Sequence, residues 1–225
     1  MTTLFVTATG TDVGKTYVTT RLIAELRAAR RTVRALKPVA SGFDAAAPER
    51  SDTGELLLAL GGRLSHAELD AVSPWRFAAP LSPDMAAARE RRTIPFPELV
   101  EFCRAPSAAS VTLIEGIGGV MVPLDAQHTV LDWIAALRAP VLLVAGSYLG
   151  TLSHTLTAAA VLRGRGCAIA AVVVSESAEQ PAPAAETADV IARFLAPVPV
   201  AVLPRAPQST SQASPLLPVL TSFIG

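Results

Sequence analysis

The chain is predicted to be an α/β protein: one doubly wound, mostly parallel sheet with helices on both faces. Three observations carry that prediction. Short apolar runs of strand length alternate with helical segments from one end of the chain to the other. The first strand runs through a glycine-containing turn into Gly14-Lys15-Thr16 and then into a helix. At 225 residues, without repeats or an interdomain linker, the chain suits one domain over residues 1–225 that covers both faces of a sheet.

The opening stretch, Leu4 to Tyr17, organises the rest. Leu4-Phe5-Val6 is a strand by length and composition, and Thr7 to Asp12 is turn-tolerant. After Thr16, residues Val18, Leu22, Ile23 and Leu26 fall on one helical face, which predicts a helix from about Lys15 to Arg30. This is the context a phosphate-binding loop requires. Backbone N–H groups face an anion, Lys15 supplies a mobile positive charge, and the Thr16 hydroxyl can ligate Mg²⁺.

Val33 to Leu36 is the next strand, ending in Lys37-Pro38-Val39-Ala40-Ser41-Gly42. Ligands gather at the carboxyl ends of parallel strands, so Lys37 and Ser41 are expected on the edge that holds the phosphate loop, at the tip of a neighbouring strand. Of the 19 basic residues only Lys15 and Lys37 are lysines; the rest are arginines. A lysine retained in such a background points to a need for a compact ammonium that a planar guanidinium does not meet.

Phe43 to Arg50 reads as loop, and Ser51-Asp52 as the N-cap of a helix through Leu60. Asp52 is open to either a capping or a metal role. Ser73-Pro74-Trp75 reads as a turn, Pro80 to Pro83 opens a helix through Arg92, and Pro95 to Cys103 is a short amphipathic helix. Val111 to Ile114 is a buried-type strand ending in Glu115-Gly116-Ile117-Gly118-Gly119. A carboxylate at such a tip, in a chain with a phosphate loop, is the acid expected beside magnesium. Val141 to Ala145 is a strand, followed by Gly146 to Thr151 and a helix from about Leu152 to Arg163 whose entry can bind an anion. Ile169 to Val174 and Val200 to Leu203 are the last strands, with a helix from Glu186 to Leu195 between them. Gln208 to Ser214 is polar, and an apolar helix near Leu216 to Phe223 ends the chain.

Bulk properties narrow the function classes. Hydrophobic content is 51% and mean hydropathy +0.43, yet no apolar run approaches the ~18–20 residues of a membrane span. No basic stretch precedes an apolar one at the start, so a cytoplasmic protein without a membrane is expected. A formal net charge of zero argues against nucleic-acid binding. Cys103 and Cys167 form no CxxC, and His66, His128 and His154 have no metal-ligand spacing.

Taken in order, VTATGTDVGKT, KPVASG, Ser51-Asp52, IEGIGG, YLGTLSHT and Leu203-Pro204 resemble the dethiobiotin synthetases of biotin biosynthesis over nearly the whole chain. The resemblance implies a phosphate-loop NTPase fold and an ATP- and Mg²⁺-dependent ring closure. One amine of 7,8-diaminononanoate takes up CO₂ as a carbamate, and a carbamate oxygen attacks the γ-phosphate. The second amine then closes the ureido ring, releasing phosphate and ADP. It also implies the site. Thr16, Asp52 and Glu115 hold Mg²⁺. Asp12, Val13, Gly14, Lys15, Thr16 and Tyr17 hold the nucleotide phosphates, with Gly116, Ile117 and Gly118 beside them and Ser175 and Pro204 near the base. Lys37 is catalytic, aided by Lys15 and Thr11. Ser41, Gly118 and Gly119 meet the diamine or its carbamate. Leu149, Gly150, Thr151, Leu152 and Ser153 receive the substrate carboxylate from the partner subunit of a homodimer.

Ser175-Glu176 replaces the family's frequent Asn-Asp, and Ser153 replaces a common Asn. Serine lacks the paired donor and acceptor of an amide, so looser base selection among nucleoside triphosphates is implied. The alternative is a partitioning or metallocentre-insertion ATPase, a nucleotide-driven switch. Such proteins carry a second lysine inside the phosphate loop, and Thr7 to Val13 contains none.

Overall fold

A computed structural model describes residues 2–178, 182–205 and 216–224. Six parallel strands form the central sheet in the order β2-β5-β1-β6-β7-β8. They are β1 (Thr2–Ala8), β2 (Val33–Leu36), β5 (Val111–Glu115), β6 (Val141–Ala145), β7 (Ile169–Ser175) and β8 (Val200–Leu203). The predicted fold class stands, with one correction. β2 is not the neighbour of β1; β5 lies between them, pairing Leu4 with Leu113 on one side and Ala35 with Leu113 on the other. Glu115 therefore stands at a strand tip between the phosphate loop and Lys37.

The helices follow the predicted sequence of elements: α1 (Lys15–Ala28), α2 (Asp52–Ala59), α4 (Pro83–Arg89), α5 (Phe96–Arg104), α7 (Thr151–Gly164), α8 (Ala184–Leu195) and α9 (Leu216–Ile224). Besides the 3₁₀ turn Pro48–Arg50, which falls in a stretch read as loop, four elements went unread in the sequence. β3 (Val39–Ser41) and β4 (Trp75–Phe77) make a small parallel pair, so KPVASG ends in a strand of its own and Ser73-Pro74 leads into one. The helices α3 (His66–Val72) and α6 (Val130–Leu137) begin at side-chain caps, Ser65 accepting from Glu68 N and Thr129 with Asp132 forming a capping box. The polar stretch Gln208–Ser214 lies outside the described residues.

Central strands buried on both faces explain why their sequences are unbroken apolar runs rather than alternating ones. Along β1, Leu4, Val6 and Ala8 join one core with Val18, Leu22 and Ile23 of α1, while Phe5 turns to the other. There the Phe5 ring meets Trp133 of α6 edge to face, centroids 4.9 Å apart. Both side chains are fully buried. Trp133→Ala is expected to cost about 3–5 kcal/mol through lost transfer energy and the cavity left behind. Urea unfolding measures it, and a loss below about 1 kcal/mol would show that the face repacks.

Candidate functional site

The phosphate loop leaves β1 at Ala8, which is wholly buried; the first glycine of the strict motif falls on Thr9, and neither residue has a left-handed backbone. Strain sits further on. Asp12 has φ 57°, a left-handed conformation that non-glycine residues rarely adopt and that concentrates at functional sites. Gly14, at φ 93°, is the N-cap of α1, and a Cβ on it would come 2.4 Å from Ser175 Oγ. The loop is thus clamped between its own helix and the tip of β7. Fourteen residues of helix begin at Lys15, so free N–H groups and the helix dipole face the loop's interior.

Beside the loop lies a cleft of about 710 Å³. Thr11, Asp12, Gly14, Lys15, Thr16 and Tyr17 form one wall. Lys37 and Ser41 face it from the β2–β3 connection, Asp52 from the start of α2, and Ile117 and Gly118 from the segment after β5. Gly119 packs against the backbone of Thr9 at the mouth of the loop. Phe43, Arg50 and the run Pro80 to Pro83 also line the cleft. Nothing in the sequence marked Phe43 or Arg50; they arrive through the fold of β3 and the turn before α2.

Ser51, not Asp52, is the cap of α2: its Oγ accepts from Gly54 N at 3.1 Å. Asp52 is the first helical residue and keeps its carboxylate for the site. Gly54 permits this placement, since a Cβ there would lie 2.0 Å from Pro48 O.

Four side chains meet at the centre. The Thr16 hydroxyl is 2.8 Å from Asp52 Oδ1 and 2.8 Å from Glu115 Oε1. Lys37 Nζ donates to Glu115 Oε1 at 2.8 Å, to Asp52 Oδ2 at 2.9 Å and to Gly116 O at 2.9 Å. Lys37 and Glu115 are fully buried, whereas Asp52 is half-exposed. Burial opposes the charge on Lys37, but Glu115 and then Asp52 outweigh it and raise the ammonium to about 12. Lys15, whose Nζ reaches Gly10 O at 3.3 Å, is pushed down to about 8, first by burial and then by the Lys37 charge. Burial works against the Asp52 carboxylate too, yet Lys37 and the Thr16 hydroxyl hold its pKa below the ordinary value.

The donor set fits a hard divalent cation. Three oxygen-bearing side chains converge within one hydrogen-bond length, and a single hydroxyl proton cannot satisfy both carboxylates at once. Glu115 Oε2 is buried without any partner.

A second cavity of about 390 Å³ adjoins the first through Asp12, Gly14 and Tyr17. Val13, Ser175, Glu176, Ser177 and Arg205 also border it. The Tyr17 hydroxyl donates to Pro204 O at 2.8 Å, and Glu176 accepts from Arg205 N at 2.9 Å. Leu149, Gly150, Thr151, Leu152 and Ser153 are not brought to either cavity. Gly150 is the N-cap of α7, Thr151 is tied to Gly146 O at 2.7 Å, and Leu149 stands 88% exposed. Sequence reasoning also missed Ser177, whose exchange of amide–hydroxyl hydrogen bonds with Ser147 braces this loop against the β7 tip.

The AAA-domain family matches residues 2–213. The ATP-dependent dethiobiotin synthetase BioD of Acidiphilium cryptum is 52% identical over 202 residues, covering 88% of this chain and 91% of that protein. Its counterpart in Methylobacterium nodulans is 51% identical over 86% of this chain and 89% of that protein. The chain belongs to the dethiobiotin synthetase family. Among solved structures, the cell division ATPase MinD of Pyrococcus furiosus matches all of this chain and 96% of its own, with a TM-score of 0.52 and 18% identity. The signal recognition particle receptor FtsY of Elizabethkingia anophelis matches with a TM-score of 0.51 and 15% identity, over all of this chain and 65% of its own. At such identities the shared feature is the fold, a parallel sheet around a phosphate loop. Family membership fits the absence of a second lysine from the loop, where a switch ATPase would carry one.

Proposed function

We propose that this dethiobiotin synthetase family member makes dethiobiotin from 7,8-diaminononanoate, CO₂ and ATP, as one cytoplasmic domain over residues 1–225. The observation that carries this reading is the position of Lys37. Its ammonium is buried beside the phosphate loop, on the carboxylates that would hold Mg²⁺, and it lines the same cleft as Ser41 and Lys15.

The chemistry asks for such an arrangement. A carbamate and a γ-phosphate are both anions, and their approach needs positive charge already in place. Lys15 and the N–H groups at the start of α1 hold the triphosphate. Lys37 neutralises charge where the carbamate oxygen bonds to phosphorus and ADP departs. Ser41 and Thr11, on facing walls, position the diamine so that its second nitrogen attacks the carbamate carbon and expels phosphate. Orientation of this kind is worth up to ~7–11 kcal/mol in favourable cases. Thr16, Asp52 and Glu115 would hold Mg²⁺, which when bound supplies charge neutralisation at the phosphate oxygens.

The base would occupy the smaller cavity, between Tyr17 and the Ser175–Ser177 tip. Ser175 Oγ packs against Gly14 and carries no amide, which supports relaxed choice among nucleoside triphosphates. Mass spectrometry of product after incubation with diaminononanoate, bicarbonate, Mg²⁺ and each triphosphate in turn tests substrate and base together. Absence of dethiobiotin with every triphosphate overturns the reading.

A homodimer completes the site. The N-terminus of the fourteen-residue helix α7 is suited to a carboxylate, and it stands clear of its own chain's cleft beside an exposed Leu149. Leu149→Asp is expected to raise KM for the diamine by roughly tenfold, through repulsion of the substrate carboxylate. Nucleotide binding, measured by calorimetry, should stay unchanged. An unchanged diamine KM would take this loop out of the site.

A further inference from the structure

Lys37 grips the two carboxylates that a divalent cation would require. Its three contacts to Glu115, Asp52 and Gly116 account for all three ammonium protons, and the side chain is 1% exposed. Asp52 and Glu115 already have the Lys37 ammonium as their partner, and Lys15 lines the same cleft. A doubly charged ion entering alone would add to the positive charge of Lys37 and Lys15 beside it and would break two ion pairs. A triphosphate reverses that balance, because it brings more negative charge than one divalent ion cancels.

We propose that Lys37 gates the metal site: in the nucleotide-free enzyme its ammonium occupies the Asp52–Glu115 pair and excludes a lone divalent cation, which is admitted only together with a triphosphate. The inference rests on the reading that Thr16, Asp52 and Glu115 hold the metal. Its consequence is an ordered assembly. The ion that takes the carboxylates frees the ammonium for the anions in the cleft, so Lys37 becomes available only once there is a phosphate for it to act on.

Mn²⁺ titration followed by electron paramagnetic resonance tests this, with the β,γ-imido analogue of ATP as the nucleotide. Native enzyme is expected to bind Mn²⁺ weakly alone and tightly with the analogue. Lys37→Met should bind Mn²⁺ alone roughly tenfold or more tighter than native enzyme does, as removal of a buried ammonium from two carboxylates requires. Lys37→Gln, which keeps a donor for Glu115 and Gly116 O, should show the same gain if the methionine variant does not fold. Equal Mn²⁺ affinity in native and variant enzymes overturns the gate. So does native enzyme binding Mn²⁺ as tightly without the analogue as with it, a comparison that needs no variant. Tight binding that survives Glu115→Gln in the Lys37→Met background overturns it too, by placing the metal elsewhere. None of these readouts involves product, so failure of the gate is distinct from failure to form dethiobiotin.

Discussion

Lys37→Met is expected to bind nucleotide as native enzyme does and to lose ring closure, with turnover falling by roughly 10²–10³-fold or more, the scale seen when a preorganised charge is removed from a transition state. The split follows from geometry. Lys15, Thr16 and the N-terminus of α1 line the cleft on the phosphate-loop side and would hold the phosphates without help from Lys37. The charge lost is the one next to the carboxylates, where the carbamate and the terminal phosphate must approach each other. Calorimetry of nucleotide binding and single-turnover product formation give the two halves of the result. Synthesis at the native rate would remove Lys37 from the mechanism.

Glu115→Gln is expected to have the second largest effect, and on different quantities. It removes a negative charge from the proposed metal donor set, so the Mg²⁺ concentration for half-maximal activity should rise and turnover should drop by about 10²-fold or more. It also leaves the buried Lys37 ammonium with Asp52 alone. The cost in stability should fall short of the ~3–5 kcal/mol of a wholly orphaned buried ion, because Asp52 remains. That cost has a defined pH range. Folding raises the pKa of Lys37 from 10.5 to about 12, so its stabilisation is full below the ordinary value and fades only as the pH climbs through about 12. The Lys37 contribution to the stability gap between native and Glu115→Gln should therefore be flat across neutral pH. Unchanged metal dependence would reassign Glu115 to structure.

Much of the site was legible because its chemistry is local in sequence. Lys15 and Thr16 follow a strand and open a helix, and Lys37 stands out in an arginine-rich chain. The adjacency that matters most was not legible. Nothing near Val111–Glu115 says that this strand inserts between β1 and β2, yet that insertion puts Glu115 within 2.8 Å of both Thr16 and Lys37. Asp52 was ambiguous for a related reason. Locally it looks like a cap, and only the contact of Gly54 with Pro48 turns the start of α2 toward the phosphate loop. The unread elements fall into two kinds. Ser65 and the Thr129–Asp132 box were signals available to the eye, whereas the three-residue strands β3 and β4 are too short for any periodicity to show.

The central claim is that the γ-phosphate passes to an oxygen that came from CO₂. Oxygen-18-labelled CO₂, supplied with unlabelled water, diaminononanoate, ATP and Mg²⁺ and quenched before exchange with solvent, tests it by mass spectrometry of the phosphate released. One labelled oxygen is expected in each phosphate formed and one retained in the ureido carbonyl. Phosphate without label would mean that water attacks the nucleotide, and the chain would then be a hydrolase with a carbamate site it does not use.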